Sequence, residues 1–371
     1  MNQPNRYRLK LTALTPIHIG TGEVYEPTNF VIDDGWLYEF EDEAFFETLS
    51  DINRQKFMQI IEENAPDSFV RVHKFIKEHK EVAKKIAIER VAVSQGLQKE
   101  YDNAVGKIRQ QEGKAGNFSR VFSRFEIQKI QRKQIKTKNG YRRVGYITGS
   151  SLKGAISTAY QEYIYKNEGE KSLKEKFYSM GRDIHKNIFR ELKVADSQVT
   201  KIGMKIGFAL NKERFEYDSS NPHNNIKLHT QIEVLNQTSE FVVDINYGAL
   251  DMREILSSCN AHYMPIFKSL LSNETNGVDE YSNEYLSDKF YDTYRHFQLK
   301  ENQYLIRVGK HSGARAVTID GMRKIKSLIS SKPYKTEIRE DETTTWLFGD
   351  NPNSNSGLLP FGWVLCEIVG T

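Results

Sequence analysis

The chain has 371 residues, 38% hydrophobic and 27% charged, with a formal net charge of +4. No apolar run reaches the ~18 residues that read as a membrane-spanning helix, and the start "MNQPNRYRLK" lacks the apolar centre of an export signal. Two cysteines, Cys259 and Cys366, exclude a disulfide scaffold and suit a reducing, cytoplasmic setting.

Residues 6–19, "RYRLKLTALTPIHI", predict a strand with Tyr7, Leu9, Leu11 and Ala13 on one face. Carried onward, the same alternation puts His18 on the more polar face with Arg8 and Lys10. A hairpin follows over "NFVIDDGWLYEF", turning at Asp34-Gly35, so Asp33 and Asp34 read as turn residues. From about residue 43 to 92 the apolar spacing becomes helical, which predicts an inserted helical block.

Residues 106–145 then carry twelve Lys or Arg against two acids, a charge of +10 that leaves −6 for the other residues. That asymmetry is expected of a polyanion binder. Within the segment, "RVFSRFEIQKIQ" reads as a strand or a short helix, and "KTKNGYRR" as a hairpin tip with an Asn-Gly turn. "VGYITGSSLKGAISTAYQEYIYKNE" predicts a short strand, a sharp turn at Gly149 and an amphipathic helix. Its inner face holds Leu152, Ala155, Ile156, Ala159, Tyr160, Tyr163 and Ile164.

A helical region is expected around 171–192. Strands follow over "KIGMKIGFALN" and "KLHTQIEVLNQTSEFVVDINY", the latter a hairpin about Asn236–Ser239. Residues 250–300 read as helix with an acidic tract near 274–292. "YLIRVGKHSGARAVTI" is a strand running into a glycine loop, and "GLLPFGWVLCEIV" is a last strand. The pattern is α+β rather than a doubly wound parallel sheet.

Three motifs carry chemistry. At "GSSLKG", Ser150 or Ser151 can cap the helix, and free N–H groups of the first turn beside Lys153 suit an anion, although most capped helices bind nothing. At "RVGKHSGARA", Arg307, Lys310, His311 and Arg315 surround Gly309 and Gly313. The glycines admit a phosphate backbone and the cations neutralise it, against the plainer reading of a tight turn. This loop is neither a Walker A sequence nor a dinucleotide fingerprint. At "HIGTGE", His18 precedes Gly20 and Gly22, and suits a base, a stacking surface or a phosphate donor; a histidine bonded to the next turn is the simpler alternative. No zinc spacing and no nucleophile elbow occur, and no cofactor is implied.

In this order, "TPIHIGTGE", "YITGSSLKGAIST" and "RVGKHSGARA" with "PFGWVLCEI" resemble the RAMP superfamily of CRISPR-associated proteins. Within it they are most similar to the Csm-complex backbone subunit that ends the filament at the 3′ part of the guide RNA. The resemblance implies two ferredoxin-like (RRM-like) modules with a hairpin thumb and large helical insertions. The first would span 1–195, with a helical insertion at 43–105 and the basic segment at 106–145. The second would span 196–371, with an insertion at 250–300.

It also implies a non-catalytic subunit that binds CRISPR RNA along its backbone, caps the guide 3′ end and supports maturation by host nucleases. Its neighbours would be the repeated backbone subunit and the small helical subunit, with target RNA along the guide. The expected RNA-binding set is His18, Gly20, Gly22, Arg142, Arg143, Ser150, Ser151, Lys153, Arg307, Gly309, Lys310, His311, Gly313 and Arg315. The insertions and the acidic tract are expected to meet other subunits. The alternative is a metal-independent endoribonuclease of the same superfamily, with His18 as general base or acid. A protein-interaction module with an acidic partner is a third reading.

Overall fold

The computed structural model describes residues 5–65, 67–112, 118–122, 125–138, 140–177, 187–213, 228–271, 285–331 and 334–370. The strand Arg6–Ala13 buries Tyr7, Leu9, Leu11 and Ala13, as its alternation predicts. It lies between two antiparallel neighbours, Glu240–Asn246 and Trp363–Gly370. This first sheet continues to Lys193–Val194 and Gln198–Lys201 on one side and to Gln303–Arg307 on the other.

Helices Gly149–Phe177 and Met252–Ser269 pack together over its apolar face. The predicted inner stripe of the first helix is buried at Leu152, Ala155, Ile156, Ala159, Tyr160 and Ile164, and the helix bends at Gly169, where φ is +86°. The other face of the sheet is solvated, and there Arg6 and Arg8 pair with Asp244 while Lys10 pairs with Glu240. The edge strand Gln303–Arg307 is closed by Asn260, which donates to the Gln303 carbonyl (3.2 Å) and accepts from Leu305 N–H (2.8 Å).

The second sheet runs Gly20–Tyr25, Ile127–Ile130, His229–Leu235, Met204–Glu213, Glu89–Val93, Trp36–Glu39 and Phe30–Asp33. Thr344–Gly349 and Leu359–Pro360 branch from Met204–Glu213. The hairpin turn at Asp34-Gly35 has both φ angles positive (+49° and +77°), the conformation of a two-residue hairpin turn. Helices Asp42–Thr48, Asp51–Glu62, Ser68–Glu78 and Lys80–Lys85 enclose a small core of Phe40, Phe45, Leu49, Phe75 and Ile76. The helical block stops short of residue 92, because Glu89–Val93 alternates inward at Val91 and Val93 and joins the sheet; helix Gln95–Ala104 follows.

The expected hairpin at 236–239 is not formed. His229–Leu235 belongs to the second sheet and Glu240–Asn246 to the first, so the turn carries the chain between sheets. Residues 13–17 cross beside it in the opposite sense and take the bonds a hairpin would make: Thr238 N–H to the Ala13 carbonyl (2.8 Å), Ala13 N–H to the Ser239 carbonyl (2.9 Å), and an Ile17–Leu235 bridge. Each sheet takes strands from both sides of residue 195.

The basic segment contains two antiparallel ribbons, Ile108–Glu112 with Phe118–Phe122 and Arg132–Thr137 with Gly140–Gly145, so 118–122 and 127–130 are strand, not helix. Asn139 of the expected turn lies outside the described residues. A third ribbon, Ile325–Ser331 with Tyr334–Arg339, stands where the sequence predicted no element. The region 171–192 is helix to Phe177 and a single 3-10 turn at Ile188–Arg190, with 178–186 outside the described residues. Most of the acidic tract falls in 272–284, also outside them. Among the described residues no helix is long and apolar enough to cross a membrane, and no three His, Cys, Asp or Glu converge as metal ligands.

Candidate nucleic-acid interface

The first strand ends at Ala13, and the alternation that placed His18 on the polar face ends with it. Thr15 Oγ1 accepts from Trp363 N–H (2.9 Å) and the Pro16 carbonyl from Gly362 N–H (2.8 Å) as the chain turns toward the second sheet. His18 is therefore 1% exposed rather than beside Arg8 and Lys10. Its Nδ1 donates to the Glu233 carbonyl (2.7 Å), and its own carbonyl accepts from Lys310 N–H (2.8 Å). Burial lowers its pKa to about 4, so the ring is neutral at pH 7.

Two glycines of the expected RNA set exist to admit this residue. A Cβ on Gly20 would lie 2.7 Å from His18 Nε2, and one on Gly309, where φ is +85°, would lie 2.4 Å from the His18 carbonyl oxygen. His18 thus pins the glycine loop to the crossing between sheets. Gly22 (φ +88°) has open space where a side chain would point.

The start of helix Gly149–Phe177 is satisfied from within the chain. Asp196 accepts from Gly149 N–H (2.8 Å), and Thr148 Oγ1, rather than Ser150 or Ser151, accepts from Ser151 N–H (3.2 Å). Lys153 turns away to the Leu192 carbonyl (2.7 Å). A bare anion site at the helix tip is excluded, because Asp196 already sits there. The helix instead offers a face one turn later, where Ser151, Gly154 and Thr158 are at least partly exposed.

The glycine loop also divides the expected cations. Positive φ at Gly309 (+85°), His311 (+67°) and Gly313 (+77°) folds it tightly. Arg307 is 3% exposed, donates to the Phe361 carbonyl (2.8 Å) and lies over the Trp363 ring. His311 packs between Trp346 and Phe361, and its burial lowers the pKa to about 3. Arg315 pairs with Asp341 (3.0 Å) away from the loop. Lys310 remains exposed, its Nζ 2.8 Å from Gln128 Oε1.

These pieces border one groove of about 440 Å³. One wall is the helix face Ser151–Gly154–Thr158, another is Val308–Gly309–Lys310 with Ser312, and Ile19–Gly20 forms a third side. Hydroxyls, glycine backbone and Lys310 line it with Arg307 behind, and among the described residues no carboxylate does. The ribbon Arg132–Thr137/Gly140–Gly145 springs from its edge, where Gln131 N–H donates to the Ile19 carbonyl (2.7 Å); Arg142 and Arg143 are exposed on that ribbon.

Not all of the basic segment is available to a polyanion. Arg132 pairs with the fully buried Glu233 and lies 3.5 Å from Glu89, Lys129 pairs with Glu39 (2.7 Å), and Lys133 donates to the Ser197 carbonyl. Those cations fasten the root of the ribbon. Gly154, Thr158 and Gln128 escaped the sequence reading, since nothing in their local spacing marks them; the signal lay in their helix or strand parity relative to Ser151 and Ile127.

The family model described as the RAMP superfamily matches residues 10–359. A curated relative, the CRISPR system protein Csm5 of Methanocaldococcus jannaschii, is 24% identical over 97% of this chain and 88% of its own length. Among solved structures, a chain of a cryo-EM Csm–crRNA–target RNA ternary complex from a type III-A CRISPR-Cas system is similar over 98% of this chain and 100% of that one. Its TM-score is 0.60 at 16% identity. A crystal structure of T. onnurineus Csm5 is similar over 96% and 99%, with a TM-score of 0.50 at 14% identity.

Proposed function

This chain belongs to the RAMP superfamily, and from that membership we propose that it is a non-catalytic, CRISPR RNA-binding backbone subunit of a cytoplasmic type III-A (Csm) complex. The observation that carries the reading is the groove: the three motifs, distant in sequence, meet around one channel that no carboxylate of the described residues lines, with Lys310 on its wall. Glycine backbone, hydroxyls and a cation form a grip for phosphates that ignores base sequence. The likeness to Csm5 proteins along nearly the whole chain supports a place at the 3′ end of the guide, next to the repeated backbone and small subunits, where it would cap the guide and support trimming by host nucleases.

We read the first sheet as ferredoxin-like. Strand Arg6–Ala13, helix Gly149–Phe177, strands 193–201, strand Glu240–Asn246, helix Met252–Ser269 and strand Trp363–Gly370 follow the β-α-β-β-α-β order, with Gln303–Arg307 added at the edge. Its free face carries ion pairs rather than exposed rings, which favours the groove over that face as the RNA contact.

The ribonuclease alternative is disfavoured by the same geometry. RNA cleavage without metal needs an accessible base and acid. His18 is buried and bonded at Nδ1, His311 is held between rings, and Lys153 is held by a carbonyl. Incubating the purified chain with repeat-containing RNA in chelator is expected to give a retained, intact RNA. Cleavage that disappears in His18→Ala would overturn the scaffold reading.

A further inference from the structure

The third ribbon has no assignment from the motifs, and its surroundings give it one. Its root is fastened to the rim of the groove. Val317 lines that rim; the next residue, Thr318, accepts through Oγ1 from Arg323 Nε (2.9 Å), and Arg323 Nη1 donates to the Glu340 carbonyl (3.1 Å) across the base of the ribbon. Asp341 holds Arg323 (3.3 Å) and Arg315 (3.0 Å) together, and Glu342 accepts from Ala314 N–H beside Gly313. The glycine loop, the short helix Ala314–Val317 and the ribbon base therefore form one cross-linked unit.

Two acids of residues 340–342 are used inward in this way, whereas on the ribbon Arg339 pairs with Glu337 and the lysines do not. Lys326 and Lys335 of the ribbon, and Lys324 immediately before it, are exposed and form no ion pair among the described residues. Among the described residues the two strands pair only with each other, so the ribbon belongs to neither sheet. Two basic ribbons are thus rooted at the rim of the groove, one beside Gly20 and one beside Val317.

We infer that the ribbon Ile325–Ser331/Tyr334–Arg339 is a second arm on the RNA, whose lysines bind the backbone phosphates of the single strand as it leaves the groove. Asp341 and Glu342 are positioning residues that hold this arm in register with the glycine loop. An isolated two-stranded ribbon gains little stability from its own pairing, so a polyanion laid along it adds contacts it otherwise lacks. This inference rests on the RNA reading of the groove.

The test uses the full chain, its triple variant Lys324→Glu/Lys326→Glu/Lys335→Glu, and oligouridylates of about 6 and about 20 nucleotides, the shorter filling only the groove. The variant is expected to bind the longer strand about tenfold more weakly at ~0.1 M salt, with a salt slope shallower by about 2, as loss of three phosphate contacts requires. It is expected to bind the shorter strand like wild type and to keep the wild-type melting temperature. Equal loss on both lengths, or no loss on the longer one, overturns the arm while leaving the groove standing. Wild-type chain that retains neither strand overturns the groove and the arm together.

Discussion

Replacing Arg132 by methionine is expected to destabilise the chain by about 3–5 kcal/mol, because it leaves a buried carboxylate without its cation. Glu233 is fully buried, and its Oε2 also accepts from Ile130 N–H (3.2 Å). Burial pushes its carboxyl above the ordinary range, and Arg132 opposes that push. Glu39 and Glu89 lie in the same cluster, with Lys129 on Glu39 and over the Tyr25 ring. Without Arg132, Glu233 would keep no paired cation among the described residues, Lys129 being on Glu39 and Arg142 acting on Glu89. Urea unfolding measures the loss, and adding Glu233→Gln to Arg132→Met should recover much of it, since the uncompensated charge goes too. A single variant within ~1 kcal/mol of wild type would show that the cluster contributes no such constraint.

Stability is expected to fall steeply as the solution is acidified below about pH 6.5, through three histidines that fold neutral. Burial lowers His18 and His73 from 6.5 to about 4 and His311 from 6.5 to about 3. With the folded pKa below the unfolded one, the unfolded chain binds protons first. The stabilisation is complete above the unfolded pKa and is lost as pH falls toward the folded values. At ~1.4 kcal/mol per pH unit, His18 alone forfeits about 2 kcal/mol by pH 5. His18→Gln keeps an N–H donor for the Glu233 carbonyl and does not titrate. Its unfolding free energy should therefore decline less between pH 7 and pH 5 than that of wild type, while carboxylate effects common to both cancel. Parallel declines would contradict the assignment of that slope to His18.

Local pattern made much of the fold legible and long-range geometry hid the remainder. Tyr7, Leu9, Leu11 and Ala13 declare a half-buried strand, the Leu152–Ile164 stripe declares the helix, and Asp34-Gly35 declares its turn, because each is a contact between near neighbours in sequence. The Asn236–Ser239 turn looks the same as a hairpin turn from inside, and only the competing pairing with residues 13–17 makes it a sheet crossing. That crossing also buries His18, so a parity argument sound to Ala13 fails five residues later. Within the candidate site, several side chains turn in directions their local spacing does not show. Lys153, Arg307 and Arg315 each meet a carbonyl or carboxylate from a distant segment, at Leu192, Phe361 and Asp341. Glycines that read as openings for phosphate are openings for His18 at Gly20 and Gly309. The third ribbon, with no Asn-Gly or Asp-Gly turn to announce it, left no local signature.

The central claim, that the groove between the helix face, Gly20 and the glycine loop grips RNA through its backbone, is tested most directly at Lys310, the exposed cation of its wall. Affinity for a short oligouridylate, measured over a range of salt for wild type and Lys310→Glu, reads the grip and its electrostatic origin together. The account predicts about tenfold weaker binding in the variant and a salt slope shallower by ~0.7 or more, with thermal stability unchanged. Affinity and slope identical in the two proteins would contradict it.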